Sequence, residues 1–415
     1  MNDSVKNLIK TFGPGIVFAG MCVGVSHLVQ STRAGADYGF ILLPAVLSAL
    51  IFKYPFFEFS SRYTHATGKS ILYGYDHQGR WILILYGIVN ILTMFIVTAA
   101  IAFVAAGLMS IILQVDLGAD LLAAAILLIC VLILAAGKYN ALDGLLKIVS
   151  TVLLISTLVA AAIAFTKGAK PPVEGFVPNE VFSVGGITFL IALMGWMPTA
   201  VDMSAWTGLW AEERIKQTKY TPTLKETLLD FNIGYIITGI LAVVFLSLGA
   251  LVMYGSGIEL SNSSSGFAGQ LINLYTTSIG EWSYLIIAVA AFSTMFSTSI
   301  TVLDGYGRAM DKVYTIITGN EKRWHYTFWV VLVALGALLV ISQYLNNLKS
   351  LVDLATTISF VIAPLAAILN YKVIFSSEVP EDKVPPKWLK NLAKAGIVFL
   401  SVFTLIYFYA LIVGL

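Results

Sequence analysis

Two short stretches decide the fold: GMCVGVSH at residues 20–27 and GWMPT at residues 195–199. Each lies halfway along a hydrophobic segment and contains residues that interrupt an α-helix, glycine in both and proline in the second. An interrupted helix leaves peptide N–H and C=O groups without partners, which a bilayer tolerates only where protein or a polar cavity surrounds them. The sequence therefore predicts two broken helices that mark a candidate site.

The composition is that of a polytopic membrane protein. Hydrophobic residues make up 58% of the 415 residues and charged residues 12%. A helix of roughly 20 apolar residues crosses ~30 Å of hydrocarbon, and eleven stretches meet this requirement. We predict an all-α chain that forms one transmembrane domain over residues 1–415. The predicted spans are residues 13–31, 40–62, 81–109, 119–136, 141–166, 183–209, 231–255, 281–303, 324–343, 350–375 and 392–414.

Lysine and arginine are unevenly distributed over the predicted loops. With a cytoplasmic N-terminus, nineteen of the 25 lie in cytoplasmic segments and only four, Arg33 among them, in outer segments. Positive charge marks the cytoplasmic side of a cell (plasma) membrane, and an odd number of spans then places the C-terminus outside. Since topology accounts for the basic residues, the net charge of +2 predicts no nucleic-acid partner. The lipid bilayer is the expected environment, and the sequence does not indicate an oligomeric state.

The interrupted segments are the first and the sixth spans. Spans one to five (about 13–166) and six to ten (about 183–375) form two five-helix halves, each opening with a broken helix, and the last span (about 392–414) is an addition. This layout is typical of inverted-repeat secondary transporters, whose site lies near the membrane midplane between the two broken helices. We predict an alternating-access carrier. No enzyme motif, such as paired histidine and carboxylate ligands or a nucleophile elbow, and no cofactor is predicted.

Several short motifs are spread along the chain: Gly13-Pro14-Gly15, Tyr38-Gly39-Phe40, Arg62 followed by Thr67-Gly68-Lys69, Met197-Pro198, and Ser297-Thr298-Ser299-Ile300-Thr301. Together they resemble the motifs of the NRAMP divalent-metal transporters. The resemblance covers most of the chain and implies the LeuT fold and transport of a divalent metal. It is remote, because the family's metal-binding Asp-Pro-Gly-Asn falls on residues 24–27 (GVSH) and Thr199 stands where the family has histidine. The third-span acids that the family associates with proton passage are missing too.

The first break carries an ionisable side chain, His27. An ionisable residue at membrane depth indicates a functional site by default. His27 could bind a metal ion, hydrogen-bond to an organic substrate, or couple transport to protons. Gly24, Ser26 and Gln30 are predicted to contribute to the same substrate site.

The second break is centred on Pro198. Proline lacks the amide hydrogen that would bond to the carbonyl of Met194 four residues earlier. We expect the Met194 carbonyl to turn into the site, together with Met197 and Thr199.

Two carboxylates, Asp202 in the sixth span and Asp353 in the tenth, lie at membrane level, where each needs a partner or water. Either could replace the family's missing aspartate. If the substrate is a metal, the predicted ligands are His27, Met197 and Asp202. Lys53 and Glu58 in the second span are predicted to pair with each other or to belong to a gate.

Two substrate classes remain open. The resemblance favours a divalent cation such as magnesium or manganese, partly hydrated and not necessarily proton-coupled. The scarcity of carboxylates favours a small organic solute instead, since divalent cations are normally bound by carboxylates. Sodium is a further candidate coupling ion, with Ser297 and Thr298 on the eighth span as its ligands.

Overall fold

The computed structural model describes residues 11, 13–115, 117–137, 139–169, 171–344 and 347–413. This part of the chain contains fifteen α-helices and no strand. The helices are α1 Pro14–Cys22, α2 Thr32–Tyr38, α3 Leu43–Thr67, α4 Ile71–Gln78, α5 Arg80–Leu113, α6 Ala119–Ala135, α7 Tyr139–Lys167, α8 Val184–Gly195, α9 Ser204–Thr218, α10 Leu224–Val252, α11 Ser264–Ile279, α12 Tyr284–Thr318, α13 Arg323–Gln343, α14 Leu348–Ile374 and α15 Lys387–Val413.

Every predicted span coincides with a helix or a helix pair. Six helices of the described chain (α5, α10 and α12 to α15) are by themselves long and apolar enough to cross a membrane. Residues 14–38 make a seventh span if the two helices that bend by 43° at a break are counted as one. The segments of α6, α7 and α8 are apolar but shorter, and α3 contains buried charged residues. The all-helical membrane fold is therefore confirmed.

The broken helices lie at the centre of the bundle. Helices α1 and α2 pack along α10, α8 packs against α14, and α5 packs against α12. The contact between α2 and α10 is so close that a Cβ on Gly35 would lie 1.9 Å from the carbonyl oxygen of Leu246. Small residues allow such approaches between membrane helices. The result is a scaffold in which both breaks are enclosed by long, regular helices.

The last helix, α15, lies at the edge of the bundle. It packs against α3, α8 and α14, and only 17% of its apolar window is buried. This position agrees with its prediction as an addition to the two five-helix halves, although the repeat boundaries themselves stay a prediction. One expectation was wrong: Arg33 belongs to α2 and is buried with 5% exposure, because the first span continues to Tyr38 instead of ending near residue 31.

Candidate functional site

The first break separates α1 from the residues that lead into α2. Helix α1 ends at Cys22, and a π-helical turn, Ser26–Ser31, precedes α2. Glycine is required at position 24, because a Cβ there would lie 2.7 Å from Cγ2 of Thr298 on α12. The hydroxyl of Thr298 donates a hydrogen bond of 3.0 Å to the carbonyl of Gly20. The break thus rests directly against α12.

The second break separates α8 from α9. Helix α8 ends at Gly195, residues 196–200 are not helical, and a 3-10 turn, Val201–Met203, leads into α9. A Cβ on Gly195 would lie 2.0 Å from the carbonyl oxygen of Thr356 on α14. The glycine therefore permits the close packing of the break against α14, while Pro198 removes one amide donor.

Lys53 of α3 binds three backbone carbonyl oxygens at the second break. Its Nζ donates hydrogen bonds to the carbonyls of Met194 at 2.6 Å, Gly195 at 2.8 Å and Thr199 at 3.2 Å. An ammonium group has three N–H donors, so all of them are used, and the side chain is fully buried. We call these three carbonyls the carbonyl cradle. The expected turn of the Met194 carbonyl is present, but its partner is a cation of the protein itself.

The predicted pairing of Lys53 with Glu58 is wrong. Glu58 lies on the same helix but accepts hydrogen bonds from Arg62, with Nε at 2.9 Å and 3.1 Å from the two carboxylate oxygens. Arg62 is four residues away, one helical turn along α3, whereas Lys53 points to the second break. Each of the two cations therefore has its own set of acceptors.

Asp202 lies just beyond the second break. It is 2% exposed, and neither of its carboxylate oxygens accepts a hydrogen bond from another residue within the described ranges. It interacts electrostatically with Lys53. A buried carboxylate needs a compensating charge, and among the described residues Lys53 is the cation whose charge acts on Asp202.

His27 is fully buried and faces α10. Its Nε2 lies 2.9 Å from the carbonyl oxygen of Thr238, and its Nδ1 lies 2.8 Å from the hydroxyl of Ser26. The Ser26 hydroxyl also donates to the carbonyl of Cys22. The structure thus places the imidazole between the first break and α10, on hydrogen bonds within the protein.

Gln30 and Asp353 meet at one end of the first span. The two guanidinium nitrogens of Arg33 donate to Asp353 at 2.7 Å and 3.1 Å, and Gln30 Nε2 donates to the same carboxylate at 3.0 Å. The Arg33 guanidinium also lies 4.9 Å from the ring centre of Phe189. Asp353 is therefore part of a two-bond ion pair that ties α2 to α14 on the predicted outer side. We call it the outer lock.

A second tie holds the opposite end of the first span. Asp230 of α10 accepts hydrogen bonds from the amides of Gly13 at 3.2 Å and Gly15 at 2.7 Å. We call this contact the inner lock. The two locks thus hold the two ends of the first span, one on α14 and the other on α10.

A small cavity lies between the breaks, α5 and α12. Its volume of about 10 Å³ is close to the space of one water molecule. It is mostly apolar, and three hydroxyl-bearing residues contribute to it. The lining consists of Met21, Val25, Ser26, Val97, Ile101, Trp196, Thr199, Met203, Thr298 and Val302.

The remaining predicted residues surround this cavity without meeting at one point. The Met197 sulfur accepts a hydrogen bond of 3.7 Å from Ser31, and the Thr199 hydroxyl lies 3.5 Å from the sulfur of Met203. Ser297 lies on α12 beside Gly20. Within the described residues, no three His, Cys, Asp or Glu side chains are grouped so as to hold a metal ion. His27 and Asp353 have partners elsewhere, so Asp202 and the carbonyl cradle are the candidate cation-binding groups.

Comparison with known proteins identifies the family. The family model of "Natural resistance-associated macrophage protein-like" (Nramp) proteins matches residues 15–410. The chain belongs to the Nramp-like family. It is also 36% identical over 404 residues to an uncharacterised protein of Pasteurella multocida (strain Pm70). The alignment covers 95% of this chain and 91% of that protein. This Nramp-like chain is therefore a multi-pass membrane transport protein.

Two solved structures have the same fold. A manganese transporter of Eremococcus coleocola, crystallised with an aromatic bis-isothiourea compound, has a TM-score of 0.74 at 13% identity and covers 98% of this chain and 87% of that one. MhsT in complex with L-phenylalanine has a TM-score of 0.64 at 12% identity, with coverages of 96% and 97%. Both likenesses confirm the LeuT fold that the Nramp-like chain shares.

Sequence reasoning did not include Lys53 and Arg33 among the site residues. For Lys53 a signal was available, since a lysine inside an apolar span indicates a functional role. The sequence places Arg33 in a loop because it predicts a first span that is too short. The residues that contact these two cations, at positions 194–199 and 353, are at least 140 residues away in the chain, and no local pattern predicts such pairs.

Proposed function

We propose that this chain is a secondary-active carrier that works by alternating access, and that its substrate is a divalent metal cation. The observation that carries the proposal is the carbonyl cradle, whose three oxygens converge on a cationic group at the second break. Backbone carbonyl oxygens suit hard divalent cations. Asp202, which is buried just beyond the second break and accepts no hydrogen bond from another described residue, adds negative charge. The manganese transporter of the same fold supports this substrate class.

Lys53 sets a condition for metal binding. A divalent cation 4 Å from an ammonium group is repelled by roughly 8 kcal/mol at an effective dielectric constant of about 20. The metal and the Lys53 ammonium therefore cannot occupy the cradle together. We propose that the entering cation displaces Lys53 from the cradle and gains the charge of Asp202 in exchange.

The two locks supply the alternating access. The outer lock joins Arg33 to Asp353, and the inner lock joins Asp230 to Gly13 and Gly15. Opening one lock while the other stays closed would expose the site to one side at a time. The N-terminus is proposed to lie in the cytoplasm of a cell whose plasma membrane holds the carrier.

The test is metal uptake into proteoliposomes that contain the purified full chain and a metal-sensitive dye. We expect saturable uptake of Mn²⁺ or Mg²⁺, and its loss in Asp202→Asn. Asp382→Asn is the matched control, because the Asp382 side chain is 69% exposed in a 3-10 turn between α14 and α15, and it should transport like the natural chain. Uptake no faster than in empty liposomes for every divalent metal tried would reject the metal substrate.

A small organic solute is the second candidate. It is favoured by the lining of the cavity between the breaks, whose apolar walls and few hydroxyl groups resemble those of organic-ligand sites, and the cavity would have to widen to admit a solute. MhsT of the same fold is found with L-phenylalanine. A thermal-shift screen of amino acids and other small solutes tests it. Stabilisation by a solute, in a protein without metal uptake, would favour this candidate over the first.

The coupling ion is a separate question. The segment from Trp81 to Met109 contains no Asp, Glu, Lys, Arg or His, which supports transport without proton coupling through this helix. The Thr298 hydroxyl already donates to the Gly20 carbonyl, and Ser297 lies beside it, so this place would need to rearrange to bind sodium. Substrate accumulation measured under an imposed pH or sodium gradient distinguishes coupled from uncoupled flux.

A further inference from the structure

We propose that Lys53 is a tethered cation that fills a monovalent-cation site, and that shortening its side chain creates a sodium site which the natural chain lacks. The proposal concerns the role of the ammonium group and holds for either substrate candidate. A failure of metal uptake would therefore leave it standing.

The oxygen ligands of this site are already in place. The carbonyls of Met194, Gly195 and Thr199 all lie within 3.2 Å of the Lys53 Nζ. Two of them belong to the C-terminal end of α8, the negative end of the helix dipole, and the third lies within the break. Because Lys53 enters from another helix, α3, its removal leaves the backbone of the cradle itself intact.

The local charges also require a cation at this position. Asp202 is buried and accepts no hydrogen bond from another residue in the described part of the chain. The other titratable group that interacts with Lys53 is the thiol of Cys22 on α1, which carries no charge of its own when protonated. Glu58, also on α3, is already paired with Arg62. Without the ammonium group, the charge of Asp202 would therefore be uncompensated in the interior.

Removal of the lysine side chain leaves three carbonyl oxygens without their cation. Three carbonyls with one carboxylate nearby suit a hard cation that needs oxygen ligands. The vacated volume extends along the former side chain, so a sodium ion with bound water can enter it. In the natural chain the covalently attached ammonium group makes this ion unnecessary, and we infer that sodium does not bind at the second break during transport.

The experiment compares the melting temperatures of purified full-length variants in NaCl and in choline chloride of equal ionic strength. We expect Lys53→Ala to melt at least about 2 °C higher in sodium, as ligand binding to the folded state requires. The natural chain should show no difference. Lys53→Met fills the space without charge, so it should show no response either, and Lys53→Ala combined with Asp202→Asn should lose most of the response.

Two results would overturn the proposal. One is a folded Lys53→Ala variant that melts at the same temperature in both salts. The other is a Lys53→Ala variant that is lost during purification in NaCl as well as in choline chloride, because sodium would then have failed to replace the ammonium group. Recovery of this variant in sodium alone would support the proposal without a melting curve.

Discussion

Lys53 and Asp202 carry opposite charges at the centre of the bundle, and each is buried where water cannot compensate it. Removing one member of a buried pair costs about 3–5 kcal/mol, because the other charge remains uncompensated. We expect Lys53→Met and Asp202→Asn each to lower the free energy of unfolding by this order. The double variant should lose clearly less free energy of unfolding than the sum of the two single losses. A double-mutant cycle by chemical denaturation measures this difference.

The matched control is an exposed ion pair on α9. Lys216 and Glu213 lie 2.8 Å apart with side chains 60% and 34% exposed, and such pairs contribute at most about 1 kcal/mol. The cycle of Lys216→Met with Glu213→Gln should give a coupling energy near zero. If the Lys53 and Asp202 cycle is equally small, the two groups do not act as a charge pair.

Some of the site could be predicted from single residues and some could not. Gly24 and Pro198 act on their own backbone, so the sequence indicated where each helix breaks and that the Met194 carbonyl would be free. The partners that occupy this carbonyl and the Asp353 carboxylate depend on which helices lie side by side. His27 shows the same limit: membrane depth singled it out, but the packing of α10 gives it a hydrogen-bonding partner in Thr238.

At the scale of elements, the contact between the first break and α12 depends on a missing side chain. A methyl group at position 24 would lie 2.7 Å from Cγ2 of Thr298, and overpacking of this kind costs about 1–3 kcal/mol. We expect Gly24→Ala to lower the melting temperature and to slow transport. Adding Thr298→Ser, which removes Cγ2 but keeps the hydroxyl that bonds to Gly20, should restore part of both.

The control for this variant is Gly185→Ala in α8, where a Cβ meets no atom within 4 Å. Its melting temperature and transport rate should stay close to those of the natural chain. If Gly24→Ala behaves like this control, the contact with α12 does not restrict the first break.

The outer lock is an element-scale device, since it joins α2 to α14. Loss of about 1.4 kcal/mol from the closed state changes the ratio of closed to open carriers about tenfold. We expect Asp353→Asn to speed the reaction of a membrane-impermeant maleimide with Val25→Cys, introduced in a chain whose Cys22 and Cys130 are replaced by alanine. Val25 is suitable because it lines the cavity and is only 2% exposed.

The control measures the reaction rate of the same cysteine at position 25 in a chain that keeps Asp353. A reaction rate that is the same in both would show that the ion pair does not hold the outer side closed. Arg33→Met, which removes the other half of the lock, should accelerate the reaction in the same direction. An acceleration found only with reagent applied from the cytoplasmic side would contradict the assignment of this lock to the outer side.

Helix boundaries show what periodicity and hydropathy predict at this scale. The hydrophobic cores of the spans were placed correctly, because each needs about 20 apolar residues. The helices run further than the spans, since α9 continues to Thr218 and α12 to Thr318, beyond the apolar stretches. These extensions are polar helix turns held by ion pairs between neighbouring helices, such as Lys312 with Glu212 at 3.0 Å, and hydropathy gives no sign of them.

For the whole molecule, the sidedness of the bundle decides which lock is inner and which is outer. The extensions of α9 and α12 carry Lys216, Arg308 and Lys312, which pair with acids at the same end of the bundle. The sequence predicts that the lysines around the start of α15 lie on this side too. The positive-inside rule assigns it to the cytoplasm. The outer lock, with Arg33, lies at the opposite end of the first span from the inner lock.

This assignment predicts the location of the C-terminus. With eleven crossings and a cytoplasmic N-terminus, we expect residue 415 to lie outside the cell. Alkaline phosphatase fused after residue 415 should therefore be active in a bacterial host, and a green fluorescent protein fused there should stay dark.

Fusions after residue 385, between α14 and α15, are the matched control and should behave in the opposite way, because only α15 separates the two positions. A fluorescent fusion at residue 415 would mean that α15 does not cross the membrane or that the bundle is inverted, and the fusion at residue 385 distinguishes the two: it is fluorescent in the first case and dark in the second.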